Sequence, residues 1–137
     1  MQTVLIDTDI AIDYLRGTPD ADNLILPLWD NDAAYLSILS IYELYAGMKD
    51  NEKEYTENFI QACNVEPVTL EIAKKAGGLF RKFRGQGITL TSLDCLINAS
   101  AIIRGHKIAT RNKDHYPNEE ILRSHLKDYK NSFEERV

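Results

Sequence analysis

Short apolar runs alternate along the chain with longer segments of helical periodicity. Residues 2–6 are β-branched and aliphatic without polar alternation, which predicts a short buried strand. The same pattern predicts three later strands, at residues 33–36, 65–68 and 107–110. Pro67 cannot donate a backbone hydrogen bond, so the third strand is expected near an edge or an end.

Helical patterns occupy the segments between these strands. The first helix is predicted to begin at Asp7-Thr8-Asp9 and to stop at Gly17. Further helices are predicted at residues 19–30, 38–48, 52–63, 70–84, 92–104 and 119–126, and the polar tail from about residue 127 is expected to be loosely held. Strands alternating with helices indicate an α/β sandwich around a parallel sheet.

Composition limits the classes of protein to consider. The 137 residues are 44% hydrophobic and 27% charged, which is ordinary for one globular domain spanning residues 1–137. We find no apolar run long enough to span a bilayer and no signal peptide, so a cytoplasmic protein without a membrane partner is expected. Cys63 and Cys95 are widely spaced, and we interpret them as reduced, buried thiols.

The net charge of −5 conceals an uneven distribution. Residues 72–113 hold nine lysines and arginines against one acid, which gives this segment a charge of +8. A phosphate backbone responds to local potential, so RNA or DNA contact is one interpretation, and a solvated helix face is the other. We expect four of these cations to hold a nucleic-acid backbone: Arg104, Lys107, Arg111 and Lys113.

Four acidic residues end or interrupt apolar runs. Asp7 follows Val4-Leu5-Ile6, Glu43 interrupts the helical pattern at 38–48, Asp94 opens a nearly uncharged stretch, and Asp114 follows the last strand. Unpaired carboxylates are costly in apolar surroundings and are usually paired or bound to metal. We therefore predict one shared site for a divalent cation, and oxygen ligands favour Mg²⁺ or Mn²⁺ over Zn²⁺.

Each acid also has a purely structural explanation. Asp7 is suited to cap the first helix, and Ser40-x-x-Glu43 and Thr91-x-x-Asp94 both match a capping box. Asp114 fits an exposed loop. Caps normally lie at exposed helix ends, however, whereas Glu43 and Asp94 lie within apolar helices, and this favours the shared site.

Two neighbouring polar residues are candidates for supporting roles. Asn98 follows Asp94 by one helical turn, and we expect it to orient that carboxylate or a bound water. His115 adjoins Asp114 and either contacts a substrate phosphate or is a plain loop histidine.

Four segments occur in a familiar order and at compatible spacing. They are Leu5-Ile6-Asp7-Thr8-Asp9-Ile10, Ser37-x-x-Ser40-x-x-Glu43-Leu44-x-x-Gly47, Asp94-Cys95-Leu96-Ile97-x-Ala99-x-Ala101 and Thr110-Arg111-Asn112-x-x-His115-Tyr116. Together they resemble the PIN-domain ribonucleases, and most closely the VapC-type toxins of prokaryotic toxin–antitoxin pairs. The resemblance implies a three-layer sandwich with a mainly parallel sheet of four or five strands.

The resemblance also implies an activity and its partners. It implies a metal-dependent endoribonuclease that hydrolyses RNA phosphodiesters with a metal-activated water. A cognate antitoxin would cover the site, and the toxin would form a homodimer.

Site residues carry over by their position in the four segments. Asp7, Glu43 and Asp94 correspond to metal-binding catalytic acids, and Thr8 and Ser40 to small hydroxyl residues near the metal. Asp9 occupies a place usually held by Asn, so the site is expected to be one carboxylate richer. We predict Asp114 as the fourth catalytic acid, with Asn112 and His115 as alternatives for completing the site.

Two other functions remain open at this stage. Asp7-x-Asp9 after a strand echoes the haloacid-dehalogenase phosphohydrolases, in which Asp7 would be a covalent nucleophile. That class expects Thr or Val at position 11, which is Ala, and paired late acids that follow a strand, which this sequence does not offer. A catalytically inactive PIN-like binding module is the second alternative.

Overall fold

The computed structural model describes residues 1–123 and contains one four-stranded parallel sheet. The strands are β1 (Val4–Ile6), β2 (Ala34–Ser37), β3 (Asn64–Glu66) and β4 (Lys107–Ala109), and their order across the sheet is β3-β2-β1-β4. Val4 is paired with Ala34 on one side and Lys107 on the other. All four carboxyl ends therefore point to the same edge, as the α/β prediction requires.

Six α-helices connect and cover the strands. They are α1 (Thr8–Leu15), α2 (Pro19–Asp30), α3 (Ile38–Gly47), α4 (Lys53–Ala62), α5 (Leu70–Gly85) and α6 (Ser92–Arg104). Three 3₁₀ turns lie at Asp50–Glu52, Lys113–His115 and Glu119–Ile121. No helix within residues 1–123 is long and apolar enough to cross a membrane.

The alternation of side chains along β1 produces the three layers. Val4 and Ile6 join the core cluster on one face of the sheet, with residues of α1 to α4. Leu5 faces the other side and packs with Ile97 and Ala101 of α6. Helix α5 then packs on α6 through a separate cluster that contains Ile72 and Phe83. The predicted three-layer α/β sandwich is confirmed.

Helix α2 continues through Pro27, which has no backbone N–H to donate within the helix. Pro27 is exposed, whereas Leu24, Ile25 and Leu28 are buried against the sheet. Burying three large aliphatic side chains offsets the one hydrogen bond that proline removes.

The predicted helix at residues 119–126 is wrong in its described part. A 3₁₀ turn at Glu119–Ile121 is followed by Leu122, which forms an isolated parallel bridge with Ile108 of β4. Ile121 is buried in the same cluster as Ile108, and Leu122 follows it in an extended conformation at the sheet edge. Residues 124–126 and the predicted loose tail from residue 127 lie outside the described residues.

Both cysteines are free and buried, as predicted. Cys63 accepts a hydrogen bond from Trp29 Nε1 at 3.4 Å, and burial raises its thiol pKa to about 11. These thiols are packing groups with little thiolate character near neutral pH.

Candidate metal centre at the carboxyl ends of the strands

Asp7 lies at the junction where β1 ends and α1 begins, and it caps that helix. Its Oδ1 accepts the backbone N–H of Thr8 at 2.9 Å. Its Oδ2 accepts the hydroxyls of Thr110 at 2.8 Å and Tyr116 at 3.1 Å. The residue is only 7% exposed, and all of these donors are neutral. The structural role as a cap and the position in a site thus coexist in one side chain.

The electrostatic environment of Asp7 disfavours its charged form. Burial raises the pKa of Asp7 above its ordinary value, and the negative charge of Asp94 acts in the same direction. The hydrogen bond from Thr110 opposes the shift but does not cancel it. A nearby cation would remove this penalty.

Asp9 adds a second, partly buried carboxylate on the first turn of α1. Its Oδ1 accepts the N–H of Ile10 and its Oδ2 accepts the N–H of Arg111, both at 2.8 Å. Burial raises the pKa of Asp9 to about 6, with the charge of Asp7 as the next contribution. The sequence expectation of an extra carboxylate at this position is consistent with this geometry.

Glu43 reaches the site from helix α3. Its Oε1 accepts the hydroxyl of Thr8 at 2.8 Å, which links α3 to the start of α1. Thr8 therefore lies where it can support Glu43, a position consistent with the role that the sequence predicted.

Asp94 enters from the first turn of α6, where Thr91 caps the helix. Thr91 Oγ1 accepts the backbone N–H of Asp94 at 3.1 Å. The Asp94 carboxylate lies 3.2 Å from His115 Nδ1, and the His115 ring is half exposed. Of the three alternatives for completing the site, His115 is the one that contacts a candidate metal ligand.

Asp114 and Asn112 lie on the rim. Asp114 is exposed on the 3₁₀ turn Lys113–His115. Asn112 is also exposed, and its backbone N–H donates to Thr110 Oγ1 at 3.0 Å. Within residues 1–123, neither side chain makes a hydrogen bond to the clustered acids. Asp114 as fourth acid stays a prediction, and His115 is the alternative that contacts Asp94.

Thr110 and Tyr116 are parts of the site to which the sequence analysis gave no role. Tyr116 is completely buried. Burial raises the pKa of its phenol, and the charges of Asp7, Asp94 and Asp9 raise it further. The charges of three carboxylates thus act on one hydroxyl, so these carboxylates lie around the Tyr116 phenol. Tyr116 is the aromatic residue that ends the fourth sequence segment, and this position was the sequence feature that could have indicated its role.

Ser40 is buried beside this region, but it does not cap a helix. Helix α3 begins at Ile38 and is capped by Ser37, whose Oγ accepts the N–H of Leu39 at 3.1 Å. The capping-box interpretation of Ser40 is therefore wrong. Its hydroxyl is buried and has no hydrogen-bond partner within residues 1–123.

Asn98 does not orient Asp94 as expected. Its side-chain amide forms a reciprocal pair with Asn118, with N–O distances of 2.6 and 2.9 Å. Asn98 is fully buried in α6, where it needs both a donor and an acceptor, and another amide supplies both. It ties the segment after Tyr116 to α6.

The four predicted RNA-binding cations are not grouped at the acids. Arg111 donates two hydrogen bonds to the Asp13 carboxylate, from Nε at 2.8 Å and from Nη2 at 3.3 Å. Arg104 lies 3.4 Å from buried Glu66, about 15 Å along α6 from Asp94. Lys107 begins β4, at the sheet edge opposite to the acids, and donates to the backbone carbonyl of Glu120. Lys113 is exposed on the rim of the site, beside Asp114.

The donor set consists of oxygen ligands, which suit a hard divalent cation. Carboxylate oxygens are offered by Asp7, Glu43 and Asp94. The pKa values of Asp7 and Asp9 are raised, so the protein environment disfavours the charged forms of these two acids. Within residues 1–123, no group of three acidic, histidine or cysteine side chains is arranged to hold a metal ion. The fit is therefore in ligand type and charge rather than in a preformed coordination shell.

A parallel sheet in the order β3-β2-β1-β4, with acids gathered from β1, α3 and α6, defines the class. The PIN domain family matches residues 4–119, and the chain belongs to this family.

Two curated relatives are similar over most of their length. Ribonuclease VapC19 of Mycobacterium tuberculosis is 38% identical over 114 residues, which cover 82% of this chain and 91% of the relative. Ribonuclease VapC10 of the same species is 30% identical over 120 residues, covering 88% of this chain and 90% of the relative. The family assignment disfavours the haloacid-dehalogenase alternative.

Solved structures share the fold. A toxin–antitoxin complex from Klebsiella pneumoniae matches with a TM-score of 0.75 and 23% identity, covering 89% of this chain and 97% of that one. DNA-bound VapBC from Salmonella typhimurium also gives a TM-score of 0.75, with 19% identity and coverage of 90% and 96%.

Proposed function

We propose that the protein is a VapC-type endoribonuclease toxin that requires Mg²⁺ or Mn²⁺. The observation that carries this proposal is Asp7, a buried carboxylate held by neutral donors whose pKa is raised by burial and by Asp94. Among residues 1–123 this carboxylate accepts hydrogen bonds from neutral groups, and a divalent ion would stabilise its charge. The names of the relatives, ribonuclease VapC19 and VapC10, supply the activity.

Asp7, Glu43 and Asp94 would hold the ion. A bound divalent ion lowers the pKa of a coordinated water and stabilises charge on a phosphodiester. Thr110 and Tyr116 fix the orientation of the Asp7 carboxylate, and Thr8 fixes Glu43. His115 Nδ1 orients Asp94, and the His115 ring is half exposed.

The same proposal covers the domain organisation, the location and the protein partners of the enzyme. The chain acts as one PIN-like domain in the cytoplasm, forms a homodimer and is held inactive by a cognate antitoxin. Solved toxin–antitoxin complexes of similar fold support the antitoxin, and light scattering of the purified protein tests the dimer.

RNA cleavage by the purified protein tests the activity. We expect cleavage with Mg²⁺ or Mn²⁺, none with excess EDTA, and recovery when metal is restored. Asp94→Asn should retain the fold but lose cleavage by at least about a hundredfold, an order of magnitude typical for loss of a group that acts on the transition state. Cleavage in EDTA, or a fully active Asp94→Asn protein, would refute the proposed metal centre, whereas no cleavage with either metal would favour the inactive-module alternative.

A further inference from the structure

A groove bordered by lysines lies between α5 and the carboxyl-terminal half of α6. Its volume is about 470 Å³. Lys75 and Lys82 stand on the α5 side, and Lys107 stands opposite them at the start of β4. Leu79 and Ile102 contribute to an apolar lining between them.

The charges of these lysines are not neutralised by the contacts that hold them. Lys75 and Lys82 are exposed. Lys82 Nζ lies 5.5 Å from the Phe83 ring centroid, and Lys107 Nζ donates to a backbone carbonyl. Both partners are neutral. The acid lining the groove, Glu120, offsets one of three positive charges, so the groove retains a positive potential.

The groove leads away from the candidate metal centre along α6. Asn118 lines it at one end and is bonded to Asn98, one helical turn after Asp94. Gly105 lines the other end, about 16 Å along the helix from Asp94. A ligand bound at the acids and extending along α6 would therefore enter the groove.

We propose that this groove binds the sugar–phosphate backbone of single-stranded RNA whose scissile phosphate lies at the metal centre, an inference that rests on the proposed nuclease function. Lys75 and Lys82 are seven residues apart on one helix face, about 10 Å, and so reach separate phosphates of one strand. Lysine acts as a point charge and positions a backbone without reading bases.

The lining favours nucleic acid over a protein partner. It contains no Trp, Tyr or Phe, the anchors that protein interfaces concentrate at their centres. The groove instead combines spaced, exposed cations with a position along α6, the helix that carries Asp94 in its first turn.

A matched pair of double variants tests the groove. Lys75→Gln/Lys82→Gln removes the two lysines that face it. Lys74→Gln/Arg81→Gln removes the same charge at the same spacing, one position earlier on α5 and outside the groove lining. All four residues are exposed, so both variants are expected to fold as the wild type does.

Binding is measured in EDTA by fluorescence anisotropy with labelled, unstructured RNAs of about 12 and about 4 nucleotides, the shorter unable to occupy both regions. The groove variant should weaken binding of the longer RNA on the order of tenfold. It should also lower the slope of the salt dependence by about 0.7 for each phosphate that is no longer neutralised. The control variant should bind like the wild type, and the shorter RNA should not distinguish the three proteins.

Equal binding by both variants, or equal weakening in both, overturns the groove assignment. Displacement of the longer RNA by a polyglutamate peptide of matched charge, at equal concentration, also overturns it, since the groove would then accept any polyanion. Metal-dependent cleavage by the wild type is assayed separately. If the groove variant weakens binding but the wild type does not cleave RNA, the proposed function is refuted. If the wild type cleaves RNA but binding does not depend on the groove, only the groove assignment is refuted.

Discussion

Buried carboxylates occur in two electrically different settings in this protein. Glu66 is 3% exposed and lies 2.6 Å from His106 Nε2 and 3.4 Å from Arg104 Nε. Asp13 is equally buried and faces the guanidinium of Arg111. Asp7 is also buried, yet its hydrogen-bond donors are an amide and two hydroxyls.

The difference separates acids that hold the fold together from acids that serve a site. Burying a charge is costly unless an opposite charge accompanies it, and the chain supplies that charge to Glu66 and Asp13. At Asp7 the part of the chain that the structure describes supplies an amide and two hydroxyls as donors, and it places Asp9 and Asp94 nearby. The balancing positive charge is therefore expected from outside the chain, as a metal ion.

The largest expected contrast is between Asp7→Asn and Glu66→Gln. Asp7→Asn should lower RNA cleavage at least about a hundredfold. Its unfolding free energy in EDTA should be unchanged or higher, because a neutral amide replaces a poorly compensated charge. Glu66→Gln should retain cleavage but lose about 1–3 kcal/mol of unfolding free energy, since buried His106 loses a charged partner. Both variants are measured by denaturant unfolding and by RNA cleavage. If the two variants change stability and cleavage in the same way, the distinction between structural and site acids is wrong.

A smaller contrast is expected in the pH dependence of stability without metal. Asp9 titrates near 3.8 when unfolded and at about 6 when folded. Between these values the folded state keeps a proton that the unfolded state has released, so the unfolding free energy falls as pH rises from about 4 to 6. In EDTA, Asp9→Asn should show a shallower fall than the wild type over this interval. Denaturant midpoints at several pH values measure it, and parallel curves would contradict the raised pKa of Asp9.

The smallest effect is expected from Tyr116→Phe. It removes one hydroxyl from Asp7 Oδ2 and should cost about 1 kcal/mol, or about fivefold in kcat, with KM unchanged. Tyr45→Phe is the matched control: it deletes a hydroxyl that donates to Glu57 on the surface. Steady-state RNA cleavage measures both. A rise in KM alone would place Tyr116 in substrate binding instead of carboxylate positioning.

The sequence predicted the elements and the acids because their signals are local. Asp7 and Asp94 stand out from apolar neighbours within a few residues, and the strands are short aliphatic runs. A helix was predicted in place of the 3₁₀ turn at Glu119–Ile121, because helical periodicity does not show that the next residue, Leu122, pairs with the edge of the sheet.

The errors in the site concern pairings over long sequence separations. Arg111 looked available for RNA, but Asp13 is 98 residues away in sequence and adjacent in space. Asn98 was assigned to Asp94 one turn away, whereas its true partner, Asn118, lies beyond the last strand. Local pattern cannot choose among polar partners that only the tertiary fold brings together.

The two ends of the described chain meet in a single hydrogen-bonded cluster, because Thr110 and Tyr116 both close on Asp7 over more than a hundred residues. During synthesis, Asp7 is translated more than a hundred residues before Thr110 and Tyr116. A ribosome that stalls between them would release a fragment without an assembled centre. The topology therefore delays assembly of the centre until Tyr116 has emerged and can fold onto Asp7.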